Sequence, residues 1–482
     1  MQSGNPSWSR WISAVEYYFW PGLTYPRRTQ GGFSVRVMPA GCIFADKGPA
    51  MFVAGDGDHD LLALLAVVNS ALFRALLSLQ MAFGSYEVGV VQRTPVPDLS
   101  MEDVRELATL AREAHDLKRE ADRDDEVTHP FTAPALARLR QAGSLAQGLL
   151  ALAENDSARE RRLAEIQHEI DDHCFVLYCF SAEDRAQVIG GSVGAGKESN
   201  DENSADDADE TDEDESTRPQ GAALAARTAA DLLMYAVGCA LGRWDVRIGH
   251  NPSLALALAE PFAPLPVCAP GALVGPDGLP ATAVHHIVSE EWLRARPNAI
   301  TLPATGSISL PTIAAEEYPI PVAWDGVLVD DADAQDDIVR RVRATLDYLW
   351  GDAADAIEQE ACSMLGVQDL RDYLRNPRGF FDHHISRYSK SRRKAPIYWQ
   401  LQSPKRHYSI WLYYHRLDAD LPFKAITLYL LPKIRQAEQR LTELEQARKA
   451  AGTSGADARR AALAVDRQEA QLADLREFYA AL

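Results

Sequence analysis

Between Lys197 and Ser216 the chain places eleven Asp or Glu against one Lys, with no apolar residue larger than Ala. Burying such a stretch would strip water from carboxylates and return almost no apolar contact, so chain entropy keeps it unstructured. The Gly-rich run Gly190 to Gly196 leads into it. Residues 190–218 therefore predict a disordered acidic linker, and the folded parts lie on either side. The tract supplies about half of the net charge of −20. Two roles fit it: a solvated tether, which is the plainer one, or a DNA mimic that masks a basic surface until DNA displaces it.

Elsewhere the apolar pattern is mostly helical. Leu61, Leu64, Leu65, Val68, Leu72, Ala75, Leu76 and Leu79 share one face and predict a helix from about Asp60 to Leu79. Met101 to Asp122 and Ala135 to Asp172 read as a helical hairpin or small bundle, broken at Asp124 to Pro134. Ala222 to Leu241, Asp330 to Trp350 and Ala353 to Leu374 read as further helices. After Asp420 the spacing of Ile434 and Leu441, then of Val465, Leu472 and Tyr479, predicts a C-terminal helical hairpin turning at Gly452-Thr-Ser-Gly. Alternation at Phe33-Ser-Val-Arg-Val-Met, Gly41-Cys-Ile-Phe and Tyr408-Ser-Ile-Trp-Leu-Tyr-Tyr predicts strands. Pro261-Phe-Ala-Pro-Leu-Pro and Gly275-Pro-Asp-Gly-Leu-Pro predict a surface excursion. The expected fold is α+β: a mostly helical multi-domain chain with small mixed or antiparallel sheets, the linker and the hairpin. Its pieces are 1–100 (strands plus an apolar helix), 101–189 (helical spacer), 190–218 (linker), 219–300 (helix and Pro-rich excursion), 301–430 (basic and aromatic) and 431–482 (hairpin).

Several chemistries can be weighed against the residues. The six cysteines are scattered without a Cys-x-x-Cys pair, which predicts reduced thiols in the cytoplasm and no zinc site. No secretory signal is expected, and Leu61 to Leu79, interrupted by Arg74, reads as a buried helix and not as a membrane span. Gly191-Ser-Val-Gly-Ala-Gly-Lys-Glu follows the phosphate-loop pattern until Glu198, which lacks the hydroxyl that would ligate Mg²⁺. Pro97-Asp98 with Asp116-Leu117-Lys118 fits a loose nuclease pattern, yet Asp116 and Lys118 fall on different faces of a helix. Asp382, His383, His384 and His407 match no metal signature. No catalytic residue and no metal ligand are assigned.

One segment reverses the sign of the chain. Between Arg371 and Arg416 eleven Lys or Arg face only Asp372 and Asp382, interleaved with Tyr388, Tyr398, Trp399, Tyr408, Trp411, Tyr413 and Tyr414. Cations neutralise phosphates and flat rings stack bases, so this block is a candidate surface for nucleic acid. The competing reading is a core strand beside an ordinary solvated basic loop.

The run Arg387-Tyr-Ser-Lys-Ser-Arg-Arg-Lys-Ala-Pro-Ile-Tyr-Trp-Gln, followed by Tyr408-Ser-Ile-Trp-Leu-Tyr-Tyr-His-Arg, closely resembles the C-terminal part of large adenine-specific DNA methyltransferases. Within that group it resembles the PglX-type enzymes of BREX phage defence and the related methyltransferase of DISARM. Asn69-Ser-Ala-Leu-Phe leading to Gly84-Ser-Tyr-Glu-Val-Gly-Val-Val-Gln-Arg-Thr-Pro-Val-Pro is similar to the opening of that family's target-recognition region, where a helix leads to a short strand ending in Pro-x-Pro. Phe175-Val-Leu-Tyr-Cys-Phe-Ser resembles the family's short strand and turn, and Met234-Tyr-Ala-Val-Gly-Cys-Ala-Leu-Gly-Arg-Trp a recurrent family element.

The resemblance implies a target-recognition and C-terminal portion that grips duplex DNA. It implies phosphate contacts from Arg387, Lys390, Arg392, Arg393 and Lys394, with Tyr388, Tyr398 and Trp399 as ring surfaces. Ser85, Tyr86, Gln92 and Arg93 become the candidates for base readout. The family's catalytic motif, Asn-Pro-Pro-aromatic, is approached by Asn5-Pro6-Ser7-Trp8, which lacks the second Pro, and by Asn251-Pro252-Ser253-Leu254, which also lacks the aromatic, and neither reads as a catalytic site. The methyl-transfer domain and its S-adenosylmethionine are therefore expected on an upstream domain or separate subunit, with other defence proteins as partners. No cofactor is expected on this chain, which is not expected to be active alone. A non-catalytic scaffold of a defence complex and a Mg²⁺-dependent DNA nuclease are the competing functions.

Overall fold

The structure is a computed structural model that describes residues 14–29, 32–54, 57–81, 85–192, 221–256, 258–275, 278–282, 318–390, 393–450 and 455–482. The acidic tract and the phosphate-loop-like run after residue 192 lie outside these residues. The chain is α+β and mostly helical, as its periodicities predict.

The first core is built on a three-stranded antiparallel sheet, β1 (Gly22–Thr24), β2 (Arg36–Met38) and β3 (Ala50–Met51), ordered β2-β1-β3. Leu23, Tyr25, Phe33 and Val35 bury against α1 (Asp58–Val68), whose residues Leu61 to Val68 are buried except Leu64. One continuous helix to Leu79 does not form. Asn69 and Ser70 end α1, and α2 (Ala71–Ser78) departs at 63°. Asn69 turns its amide onto the backbone of Val35, accepting from its N–H at 2.9 Å and donating to its carbonyl at 3.0 Å. Ser70 then caps α2 by accepting from the Phe73 N–H, while Asp171 accepts from Ala71 N–H. Two side chains that bond backbone better than they extend a helix make the corner.

Val88–Arg93 is likewise a short helix, α3, and not the expected strand. Val91 is its only buried residue, so β-branched content is overridden by one contact and by the Glu87 turn that precedes it. Gly41-Cys-Ile-Phe forms no strand.

Helix α4 (Met101–Asp122) starts at a Ser100/Asp103 capping box and packs on α1. Helix α5 (Leu145–Leu177) has 33 residues, about 50 Å of rise. Leu145 at its start belongs to the second core, and Ile166, Ile170 and Cys174 belong to the first. It is thus a strut between the two. It also absorbs Phe175, where a strand and turn were expected, and stops where Cys179 takes a φ of 55°.

The second core surrounds α6 (Ala222–Ala240). From Thr228 to Ala240 every residue except Asp231 is buried. This helix, not Leu61–Leu79 alone, is long and apolar enough to cross a membrane, and here it is wrapped by protein. Around it pack α7 (Ile338–Trp350), α8 (Ala354–Leu365), α9 (Leu370–Arg375) and α10 (Phe380–Arg387).

The last layers share a second antiparallel sheet, β4 (Val327–Val329), β7 (Tyr398–Gln402) and β8 (Ser409–Tyr413), ordered β4-β8-β7; β5 (Ser389–Lys390) and β6 (Arg393–Lys394) pair separately. Strand β8 is buried on both faces. Trp411 and Tyr413 enter the α6 core, whereas Ile410 and Leu412 enter a third core. That core is closed by the antiparallel hairpin of α11 (Leu431–Ala450) and α12 (Ala456–Ala481), entered through a π-helical stretch, Ala425–Leu430. Ile434, Val465 and Leu472 are buried as the seven-residue spacing predicts, but Phe478 is buried and Tyr479 is left 45% exposed.

Asp474 on α12 locks the hairpin to the sheet. Fully buried, it accepts from Ser403 Oγ, the backbone N–H groups of Lys405 and His407, and the His407 ring. Burial raises its pKa, but these bonds outweigh it and the net shift is downward. Replacing Asp474 by Ala should cost about 2–4 kcal/mol in a urea melt at pH 7, because several donors lose their acceptor together. A depressed carboxylate stabilises above its unfolded pKa and loses that contribution as pH falls through the folded value. The gap between variant and parent should therefore narrow below about pH 4.

Candidate nucleic-acid interface

The basic block is divided by burial into a structural half and an exposed half. Arg371 bridges Asp330 and Asp337, and Arg375 also pairs with Asp330; both carboxylates are almost wholly buried. Arg387 pairs with Asp125 and lies 3.6 Å from Asp231. Tyr398, Tyr408, Trp411 and Tyr413 are core residues. Exposed are Arg378, Lys394, Lys405 and Arg406, with Trp399 at 44% and Tyr414 at 53% exposure. Arg392 and the side chains of Lys390 and Arg393 lie outside the described residues.

His384 explains why the neighbouring rings turn inward. Its Nε2 accepts from the backbone N–H of both Ile397 (2.8 Å) and Tyr398 (3.0 Å), which places the ring proton on Nδ1, 3.4 Å from Met234 Sδ. It stacks against both Phe380 and Tyr398. Burial, with Arg243 and His383 adding to it, pushes its pKa down to about 3. It is therefore a neutral acceptor that ties α10 to β7 and no metal ligand. His383 pairs instead with Asp231 and His407 with Asp474. Among the described residues no three His, Cys, Asp or Glu side chains could hold a metal. Asp116 of the nuclease-like pattern pairs with Arg119 on its own helix.

Beneath this surface lies a buried charge network that sequence reasoning missed. Helix α6 ends in a Schellman turn: Gly242, at φ 71°, lets Arg243 N–H reach back to the Gly238 carbonyl. A Cβ on Gly238 would stand 2.3 Å from the Trp244 ring, so only Gly admits the returning chain. Arg243 is thereby laid over Trp244 at 4.4 Å and Tyr388 at 5.2 Å, and 3.5 Å from Glu126. The Tyr388 hydroxyl donates to Glu126 at 2.5 Å. Burial raises the Glu126 pKa, opposed mainly by Arg243. These residues, with Arg387, His415 and Arg416, line a cleft of about 1150 Å³ walled on its other side by Val267, Ala269 and Leu279. The signal available beforehand was the Gly-x-x-x-Gly-Arg-Trp spacing at 238–244, whose two glycines mark a close backbone approach.

The other predicted residues sit on the first core. Ser85 donates to Glu87, which pairs with Arg27; Tyr86 packs on Phe33; Gln92 and Arg93 are exposed on α3. The hydrogen bonds of Ser85 and the Tyr86 N–H, and the ion pair of Glu87, stay within the first core, at Glu87 and Arg27.

Compared with known proteins, the chain is distantly homologous in sequence to an adenine-specific methyltransferase. That relative is the adenine-specific methyltransferase BrxX of Escherichia coli O9:H4 (strain HS), 22% identical over 450 residues. The match covers 89% of this chain and 31% of the relative, so the chain spans about a third of that protein's length. No family model matches the chain.

Two outcomes test the partition of cations. Arg387→Ala strands Asp125 and leaves Asp231 to His383, and should cost about 2 kcal/mol in chemical denaturation, whereas Lys394→Ala should stay within about 0.5 kcal/mol. For His384 the folded pKa is depressed, so its contribution is complete above about pH 6.5 and lost as pH falls toward 3. Stability should drop by up to about 1.4 kcal/mol per pH unit across that window, and a His384→Gln variant should show a shallower decline.

Proposed function

We propose that this chain is the DNA target-recognition and C-terminal portion of an adenine-specific DNA methyltransferase of a phage-defence system. Its task is to grip duplex DNA and hold a short site so that a methyl-transfer domain elsewhere can act on the adenine. The observation that carries this reading is the distant homology to BrxX along nearly the whole chain. The local support is the exposure of Arg378, Lys394, Lys405 and Arg406, and of Trp399 on the edge strand β7.

In this reading Lys394, Lys405 and Arg406, together with Lys390, Arg392 and Arg393, bind phosphates, and Gln92 and Arg93 are the better-placed candidates for base edges. Arg387, Tyr388 and Tyr398 act from beneath by holding the block in shape. The motif by which the family holds its target adenine, Asn-Pro-Pro-aromatic, does not occur in this sequence, so no catalytic step is routed through this chain. It works in the cytoplasm with a catalytic domain or subunit and other defence proteins. A scaffold reading draws on the exposed Phe423, Leu428 and Leu463 of the C-terminal region.

Fluorescence anisotropy with a labelled duplex decides between them. Binding should weaken steeply from about 50 to about 200 mM salt, and Lys405→Glu with Arg406→Glu, or Arg392→Glu with Arg393→Glu, should flatten the salt slope by about 0.9 per lost phosphate contact. Duplex affinity absent at low salt, or unchanged in affinity and slope by both pairs, would leave the scaffold.

A further inference from the structure

We infer that one face of α12 and the β7–β8 turn form a single cationic strip that follows the phosphates of a DNA duplex over about six base pairs. The inference rests on the DNA reading for its ligand, and it adds Arg459, Arg460 and Arg467, which that reading leaves out.

Geometry is the first argument. An α-helix turns by roughly 100° per residue, so Arg460, Arg467 and Asp474, spaced seven apart on α12, fall almost on one line. Arg459 and Leu463 lie beside that line. Asp474 is where the β7–β8 turn is seated: it accepts from Ser403 Oγ at 2.6 Å and from the Lys405 N–H at 2.7 Å. The turn that carries Lys405 and Arg406 therefore covers the same helix face that the arginines occupy nearer the hairpin tip. Arg459 and Arg460 stand fifteen and fourteen residues before Asp474, ~22 Å along the axis, and Arg467 lies halfway. Both ends are firm. One is continuous helix; at the other, Arg406 is held at φ 62° with its N–H donating to the Ser403 carbonyl. Phosphates of one strand repeat at about 3.4 Å of rise, so ~22 Å corresponds to about six base pairs.

Charge is the second argument. Arg459, Arg467, Lys405 and Arg406 are exposed, and among the described residues none of them enters an ion pair. Arg460 pairs with Asp457, but the two side chains are 77% and 83% exposed, and such pairs are weak. Asp466, also exposed, falls to one side of the line. The antiparallel α11 returns Arg448 and Lys449 to the same end of the hairpin, and Ala451-Gly-Thr-Ser between the helices adds no charge. From Ala456 to Ala464 no residue of α12 is buried, so these cations cover no core. One leucine, Leu463 at 65% exposure, is too little apolar surface for the centre of a protein interface. A straight row of unanswered cations suits a polyanionic backbone instead.

Fluorescence anisotropy with a labelled duplex of about 30 base pairs tests the strip. Charge reversal at Arg459, Arg460 and Arg467 together should lower the salt slope by about 2.7, and Lys405→Glu with Arg406→Glu by about 1.8. The five substitutions combined should lower it by about 4.5, because both groups lie on one duplex. Arg105→Glu, Lys118→Glu and Arg161→Glu together change the net charge as much as the first set but lie elsewhere, and should leave the slope unaltered. If the charge-reversed set does not fold, the corresponding Gln set, with the same expected slope, decides. A parental slope in the folded Arg459, Arg460 and Arg467 variant overturns the strip. An equal loss in the control set overturns it too, by tracing the effect to overall charge. If that happens while Lys405→Glu with Arg406→Glu still weakens binding, the strip fails and the DNA reading stands. A parent chain that binds no duplex at low salt overturns both.

Discussion

Carboxylates and guanidinium groups taken out of water must find each other, and in this protein that requirement joins distant parts of the chain. Arg387 and Tyr388, at the end of α10, meet Asp125 and Glu126, 262 residues earlier, while Asp231 and Arg243 come from α6 and the turn after it. Each charge left alone would be expensive, so the four segments have one mutually acceptable arrangement. Helix α10 is held on α6, the loop after α4 is held under both, and the cleft is the space between them.

The same logic repeats at the edges of the molecule. Asp330 and Asp337 seat Arg371 and Arg375, joining the end of β4 to α9. Asp474 seats the β7–β8 turn on α12. Apolar burial supplies the driving force in each core, but these buried carboxylates set which elements lie against which. Strand β8 shows the division: its alternation places Trp411 and Tyr413 on one core and Ile410 and Leu412 on another, and Asp474 bonds the turn that leads into it.

For DNA binding the consequence is a sorting of the basic block. Of the cations and rings that stand out in the primary structure, those with a carboxylate or a cavity within reach were drawn inside. Lys394, Lys405, Arg406 and Trp399 stay outside on short strands and a turn, where Asp474 takes the backbone of the turn and, among the described residues, no ion pair reaches the three cationic side chains.

Local pattern was enough for α4, α6, the C-terminal hairpin and β8, because periodic burial over many residues survives any particular packing. It was not enough at Asn69-Ser70, where side chains bond to a strand 34 residues away, nor at Val88–Arg93, where one buried valine and a turn outweigh β propensity. The sequence alone determined that the chain is mostly helical, that it carries an acidic tract with nothing to bury, and that its positive charge gathers near the C-terminus. Only the tertiary structure decided which of those cations are free. A charge is neutral to its neighbours along the chain, and whether it is spent on the protein or left for a ligand depends on carboxylates that the fold brings from hundreds of residues away.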